Sequence, residues 1–237
     1  MEDFNRFRYV SGVAPAYDLF FHIQGRLMDG ELRDWGLARA WYLPLAADAS
    51  LFRPQTVPER FRAKLSLAGA GYPNRRAILA DLAQNFWARG RWGNYRFRIF
   101  GSGWEGCPEV LARHLFEGGR RLTAEECALA YAGGEVNLNL HSGNGSGFDG
   151  PSAFVNPRTF ELAASQSLQI VDDRLLLEGL FGPGELEIVR DPAQLPGAIE
   201  KHLNDPELGR DMALRARRRV LREHLYAHRL RFILGCL

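Results

Sequence analysis

Cysteine is scarce: Cys107, Cys127 and Cys236 are the three in a chain of 237 residues. An odd number at such wide spacing builds neither a disulfide framework nor a zinc site, so reduced thiols in a cytoplasmic compartment are the expectation. An excess of one charge is also lacking. The 30 basic and 28 acidic side chains leave a net charge of +2, too small to point to nucleic acid or an anionic membrane. No uninterrupted apolar stretch nears the roughly 20 residues of a membrane span. The opening Met1-Glu2-Asp3-Phe4-Asn5-Arg6 lacks the basic-then-apolar order of a secretory signal. Internal repeats and low-complexity tracts are absent as well. What these absences leave is a soluble, cytosolic, globular protein.

The composition fits that class, with 46% apolar and 24% charged residues. A chain of this length can bury a core without covalent staples. Basic residues cluster late, at Arg215, Arg217, Arg218, Arg219 and Arg222. They read as a solvated helix face with a favourable dipole contribution in its last turn.

Apolar runs alternate with segments of helical period. The pattern predicts strands over 17–23, 40–45, 64–68, 95–100, 136–140, 168–171 and 187–189. It predicts helices over 29–36, 75–86, 123–132, from 156 onward, 175–180, 192–203 and from 206 onward. Thr123 with Glu126 three residues later is a capping box. Residues 47–58 have the polar and proline content of a linker. Strand and helix alternation of this kind means an α/β fold, a Rossmann-like parallel sheet with helices on both faces. Ligands in such sheets bind at the carboxyl ends of the strands. Four features fall there: Gly69 to Gly71, Gly101 to Gly103, the stretch from His141 through the Gly/Ser/Asn-rich 142–150 loop, and Asn156 to Glu161.

The run Asn156-Pro157-Arg158-Thr159-Phe160-Glu161 carries the most chemistry. Asn156 can cap a helix, and Pro157 fits a first turn where its missing N–H is not needed. Such a start presents backbone N–H groups and the positive end of the dipole, which suits a phosphate. Arg158 and Glu161 lie three apart and share a face. One brings a fork of donors for phosphate oxygens; the other brings a carboxylate able to accept both hydroxyls of a ribose. A nucleoside-diphosphate sugar is the ligand suggested. His141 follows a strand and is either a donor contact or a satisfied structural histidine. His22 also ends a strand, on the side where an acceptor group would lie. Asp172-Asp173 reads as a turn or a capping pair; a metal has no supporting cluster. Gly101-Ser102-Gly103-Trp104-Glu105-Gly106 matches the dinucleotide fingerprint by letter, yet Pro108 interrupts the helix start and no acidic strand end follows at the expected distance. Its glycines read better as a turn that lets the backbone approach a nucleotide, with Trp104 walling the pocket.

These residues resemble a known family. Tyr42-Leu43-Pro44-Leu45-Ala46-Ala47-Asp48 through Phe52-Arg53-Pro54 resembles the interdomain crossover of two-domain (GT-B) glycosyltransferases. Leu67-Ala68-Gly69-Ala70-Gly71-Tyr72-Pro73-Asn74-Arg75-Arg76 resembles the first strand-turn-helix of their donor half. Gly145-Ser146-Gly147-Phe148-Asp149, Phe154-Val155-Asn156-Pro157-Arg158-Thr159-Phe160-Glu161 and the closing His224-Leu225-Tyr226-Ala227-His228-Arg229-Leu230 look like the spore-maturation (CgeB-type) branch of the group 1 glycosyltransferase-like proteins. The resemblance spans roughly residues 40–237. It implies that residues 1–56 are the end of an N-terminal acceptor domain plus crossover, and 57–237 the donor-binding domain. It implies that Glu161 is the ribose-binding glutamate and that Arg75 or Arg76 is the basic residue at the diphosphate. Gly69, Gly71, Gly103, His141, Asn156, Arg158 and Thr159 complete the expected donor site, and Arg75, Arg158 and Glu161 the expected catalytic set. Related enzymes often carry a second glutamate eight positions earlier; that position is Ala153, and Asp149 is the nearest carboxylate.

The expected function is transfer of a sugar from a nucleotide-diphosphate donor to a glycan, protein or small-molecule acceptor, with no cofactor and no metal. Residues 1 to about 50 supply only the last strands and helices of an acceptor domain, so a partner, a second copy or another chain, is expected to complete it. The alternative is a non-catalytic nucleotide-sugar-binding module or scaffold. A nicotinamide-dependent oxidoreductase is the third reading.

Overall fold

A computed structural model describes residues 12–13, 16–25, 29–37, 39–87, 96–148 and 153–237. Tyr95, Asp149, Gly150 and the first six residues lie outside the described set. Two parallel strands come first, β1 (Phe20–His22) and β2 (Ala40–Tyr42), with the short helix α1 (Asp29–Asp34) between them. The rest forms a five-stranded parallel sheet. Its strands are β3 (Ala63–Ala68), β4 (Phe97–Phe100), β5 (Gly134–Asn139), β6 (Gln169–Asp172) and β7 (Glu187–Val189), in the order β4-β3-β5-β6-β7. The crossovers carry α2 (Pro73–Leu82), α3 (Glu109–Ala112), α4 (Ala124–Gly133), α5 (Pro157–Ala164) and α6 (Leu177–Leu180). The chain ends with α7 (Leu195–Asn204), α8 (Pro206–Glu223) and α9 (Tyr226–Gly235).

The sheet is buried on both faces, as parallel sheets are. On one side Leu65, Leu67, Val136, Leu138 and Ile170 pack against Ile78, Leu79 and Leu82 of α2 and Ile199 of α7. On the other, Ala68, Phe100 and Val171 pack against Phe160 and Leu162 of α5, Tyr131 of α4 and Val220 of α8. Strand alternation in β5 sends Asn137 and Asn139 toward the α5 side. Each is satisfied there: Ser66 Oγ donates to Asn137 Oδ1 at 2.7 Å, and Asn139 Nδ2 donates to Thr159 Oγ1 at 2.9 Å and Gln169 Oε1 at 2.8 Å. This polar ladder pins α5 to β5 and β6.

Most expected elements form with shifted ends. The helix expected over 75–86 starts earlier, at Pro73, and closes in a π-type turn, Ala83–Trp87. The Thr123–Glu126 capping box forms with both of its hydrogen bonds. The 192–203 helix opens as a 3₁₀ turn, Pro192–Gln194, before α7. A helix continuing from 206 to the end is interrupted at His224. Its ring is buried against Phe160 and Phe181, and its Nε2 meets the Leu180 carbonyl at 2.9 Å, which pulls the backbone out of helical geometry. Of the late arginines, Arg217 and Arg219 reach across to other parts of the chain, while Arg218 and Arg222 are exposed. Arg217 donates to the Ala164 carbonyl at the end of α5, and Arg219 bridges Glu185 and Glu223.

The 47–58 segment is largely exposed but anchored at three points: Ala47, Phe52 and Val57 are buried with the α5-side core. Helix α9 reaches the first sheet. Phe232 meets Phe21 edge-on at 6.3 Å, and Arg229 donates to the carbonyls of Pro44 at 2.7 Å and Leu45 at 2.9 Å.

Candidate functional site

In a sheet of order 2-1-3-4-5 the connections diverge between the first and third strands, and a crevice opens at their carboxyl ends. Here those strands are β3 and β5. The four glycine-rich and polar features of the sequence meet at or beside this point.

The turns after β3 and β4 are knitted together. Gly69 N–H donates to the Phe100 carbonyl at 2.8 Å, and Gly71 N–H to the Ser102 carbonyl at 3.0 Å. Gly101 (φ +112°) and Gly103 (φ +79°) take backbone conformations that favour glycine. A side chain on Gly71 would overlap the Gly103 carbonyl, and one on Gly69 would lie 2.5 Å from Arg158 Nη2 and 3.0 Å from Arg75 Nη1. So Gly69 is bare because two guanidinium groups occupy the space above it.

The start of α2 acts as a clamp. Arg75 is 4% exposed. Its Nε donates to the Leu140 carbonyl at 2.9 Å and its Nη1 to the Ala70 carbonyl at 2.8 Å, joining the ends of β5 and β3. Arg76 Nε donates to the Gly71 carbonyl at 2.7 Å, Nη1 to the Glu105 carbonyl at 2.9 Å, and Nη2 to the Gly103 carbonyl. Asn74 binds the His141 carbonyl at 2.9 Å and the Gly143 N–H at 2.9 Å. The donors that the sequence offers to a diphosphate at Arg75 and Arg76 are thus engaged in holding loops. Trp104 points inward. It does not wall a pocket but is 1% exposed, with its indole N–H on the Gly69 carbonyl at 3.0 Å.

Helix α5 begins as expected. Asn156 Oδ1 accepts from Thr159 N–H at 3.0 Å and Thr159 Oγ1 at 3.1 Å, and Asn156 Nδ2 donates to Asn139 Oδ1 at 3.0 Å. Thr159 is fully buried, so its hydroxyl serves the ladder. Pro157 lacks an N–H and Asn156 covers that of Thr159, which leaves the Arg158 N–H as the uncapped donor of the first turn. The half-buried Arg158 side chain lies over Gly69. Its Nη1 reaches Asn139 Oδ1 at 3.3 Å and the Leu140 carbonyl at 3.4 Å, both long, while its buried Nε has no hydrogen-bond partner. Burial, and next the charge of Arg158, push Arg75 below the usual guanidinium range, to about 9. Arginine keeps its proton in proteins, so two positive charges lie close together over Gly69.

Glu161, one turn along α5, is half-buried and accepts a hydrogen bond from Tyr131 Oη at 3.2 Å. Burial raises its pKa, against the opposing effects of the Tyr131 hydroxyl and Arg158. His141 is structural. Its Nδ1 meets Asp172 Oδ1 at 2.8 Å, and its Nε2 accepts the Asn156 N–H at 3.1 Å. Accepting at Nε2 requires the neutral ring with its proton on Nδ1. Asp172, fully buried, also pairs with Arg174 and accepts the His141 N–H at 2.7 Å. It is therefore an anchor and not a turn or cap residue; Asp173 pairs with Arg190 at 3.0 Å. The relay Arg174–Asp172–His141–Asn156 ties the end of β6 to the cap of α5.

Burial lowers the His141 pKa from its ordinary 6.5, outweighing the attraction of Asp172. The unfolded chain then takes up the proton first, so stability rises with pH up to about 6.5 and falls as pH drops below it. His224, also lowered by burial, contributes with the same sign. Urea unfolding is expected to show lower stability at pH 5.5 than at pH 7.5. A His141→Gln variant should flatten this slope; an unchanged slope contradicts the assignment.

A profile of the glycosyl transferase-like family matches residues 75–235, from Arg75 to the end of α9. The chain belongs to that family. A search of curated proteins gives no match for this glycosyl transferase-like chain. Solved structures share its fold. The Anabaena protein HepE, in complex with UDP and glucose, superposes with a TM-score of 0.71 at 11% identity, over 98% of this chain and 66% of its own. S. aureus TarM, a mutant in complex with fondaparinux, α-GlcNAc-glycerol and UDP, gives 0.69 at 12% identity over 98% and 46%. Sucrose-phosphate synthase from Thermosynechococcus elongatus gives 0.66 at 16% identity over 97% and 60%. The glycosyl transferase-like chain spans between about half and two thirds of the length of these GT-B neighbours.

The sequence alone missed two contributors, Tyr131 and Asn139, and assigned a third, Asp172, to the wrong role. Asn139 and Asp172 carried a signal, polar side chains at the carboxyl ends of otherwise apolar strands. Tyr131 carried none.

Proposed function

We propose that this glycosyl transferase-like chain seats the nucleoside diphosphate of an activated sugar across the β3/β5 crevice and supports transfer of the sugar to an acceptor hydroxyl. Arg158 and its own backbone N–H would take phosphate oxygens. Gly69, Gly71 and Gly103 let the backbone come close to the ligand. Glu161 would accept the ribose hydroxyls. In this reading Arg75, Arg76, His141, Asn156 and Thr159 shape the seat, with Arg75 adding charge from beneath. When the bond between the anomeric carbon and the diphosphate oxygen breaks, negative charge grows on the leaving group, and a guanidinium and a helix start placed there favour that state.

One observation carries the reading. Arg158 stands half-buried beside a second guanidinium, with long contacts on Nη1 and none on its buried Nε. A cation so placed is matched by a phosphate. The neighbours HepE and TarM, described as complexes with UDP, support the same ligand class. No helix among the described residues is long and apolar enough to cross a membrane, which accords with a cytoplasmic donor pool as the proposed setting.

A thermal-shift panel tests this. Millimolar UDP, GDP and ADP, run against their nucleosides, should include at least one diphosphate that raises the melting temperature while its nucleoside does not. If the whole panel leaves the melting temperature unmoved, the donor-site reading fails.

A further inference from the structure

Tyr131 sits in the last turn of α4 and is 6% exposed. Its ring stacks on Phe52 of the crossover segment, with centroids 5.6 Å apart and planes at 30°. A phenol this deeply buried needs a hydrogen-bond partner. The partner is a carboxylate on a different helix, Glu161 Oε2 at 3.2 Å. Arg158, the other charged group on that face of α5, lies over Gly69.

We infer that Tyr131 is the positioning residue for Glu161, and that it makes the site selective for nucleotides carrying both ribose hydroxyls. The inference rests on the donor-site reading above and deepens it. A glutamate on a helix has three side-chain torsions and, left alone, distributes its carboxylate over several rotamers. The Tyr131 hydroxyl selects one of them. A carboxylate offers about four acceptor positions; one is given to Tyr131, and the others stay directed by that contact. Two adjacent hydroxyls of a ribose match a carboxylate held in this way. A carboxylate free to swing would bind them more weakly and discriminate less. Phe52 packs on the face of the ring, so a residue of the 47–58 segment, distant in sequence, supports the geometry of the site.

The test compares wild type with Tyr131→Phe, by calorimetric titration of UDP, GDP and ADP, each beside its 2′,3′-dideoxy form. Wild type should prefer the ribose form of the nucleotide it binds by about 100-fold or more. Tyr131→Phe should cut that ratio about tenfold and leave affinity for the dideoxy form within about twofold. A carbon-13 NMR titration of the Glu161 carboxyl should move upward in the variant, because the donor that stabilises the ionised form is gone. A purely structural role for Tyr131 would weaken both nucleotide forms alike and leave that titration in place. If the variant does not fold, 3-fluorotyrosine at position 131 reports on the contact. Its fluorine resonance should shift with the ribonucleotide and stay put with the dideoxy form. An unchanged ratio in Tyr131→Phe, or a fluorine signal indifferent to both ligands, overturns the inference while the donor site stands. A wild-type chain that binds but ignores the ribose hydroxyls overturns the inference together with the role of Glu161. Absence of any binding by wild type sinks the donor-site reading itself.

Discussion

Gly71→Ala is expected to destabilise the fold by about 2–3 kcal/mol and to lower the melting temperature by roughly 5–10 °C. The reason is local and rigid. The added methyl would run into the Gly103 carbonyl, and that carbonyl cannot retreat. It belongs to a turn fixed by the Gly71 N–H on Ser102, by Arg76 on Gly103 and by Trp104 on Gly69. Gly69→Ala makes the instructive comparison. Its methyl would meet the tips of two arginine side chains, Arg158 Nη2 at 2.5 Å and Arg75 Nη1 at 3.0 Å. The Arg158 tip can swing aside and the Arg75 tip need give only slightly, so the stability loss should stay within about 1 kcal/mol, whereas nucleotide binding should suffer because Arg158 is displaced. Differential scanning calorimetry of both variants, with and without nucleotide, separates the two outcomes. A Gly71→Ala variant that melts like wild type would show that the interlocked turns are not as drawn.

Arg158→Ala is expected to weaken nucleoside-diphosphate binding by about 100-fold while leaving the empty protein near its original stability. The two effects part because of where the guanidinium sits. Its hydrogen bonds to Asn139 and Leu140 are long, and its charge faces that of Arg75, so the empty protein loses little when it goes. Asn139 Oδ1 keeps the Asn156 amide. A bound diphosphate, by contrast, would lose its principal donor fork. Arg75→Ala should behave in the opposite way. It strips donors from the Leu140 and Ala70 carbonyls in a buried setting, and the fold itself should weaken. Glu161→Ala should remove most of the nucleotide-induced melting shift. Melting curves with and without nucleotide for the three variants decide the matter. A shift undiminished in Arg158→Ala would contradict its assignment.

How much of this was legible beforehand differs from residue to residue. The start of α5 could be read outright, because an N-cap followed by proline acts through neighbours one to three residues away; the same holds for the Thr123–Glu126 box. The parallel sheet followed from the order of strands and helices. What stayed hidden depends on contacts made across crossovers. The sequence shows two adjacent arginines at a helix start, and both looked available to a ligand. In the fold, β5 passes beside β3 and brings the Leu140 carbonyl, 65 residues on, onto Arg75. His141 was open between two roles, and the choice was made by Asp172, which arrives 31 residues later on β6. Trp104 resembled a pocket wall because it followed a glycine turn, but the same turn folds it inward onto Gly69. Tyr131 reads as an apolar-face helix residue, and its hydroxyl gains meaning only when α5 is laid against α4.

The central claim is that Arg158 and the first turn of α5 form an anion seat above Gly69. A crystal structure of the chain with the most strongly stabilising nucleoside diphosphate tests it most directly. The account predicts phosphate oxygens within hydrogen-bond distance of the Arg158 guanidinium and backbone N–H, with the ribose on Glu161. A diphosphate bound elsewhere, with Arg158 still lying on the Leu140 carbonyl, would contradict it.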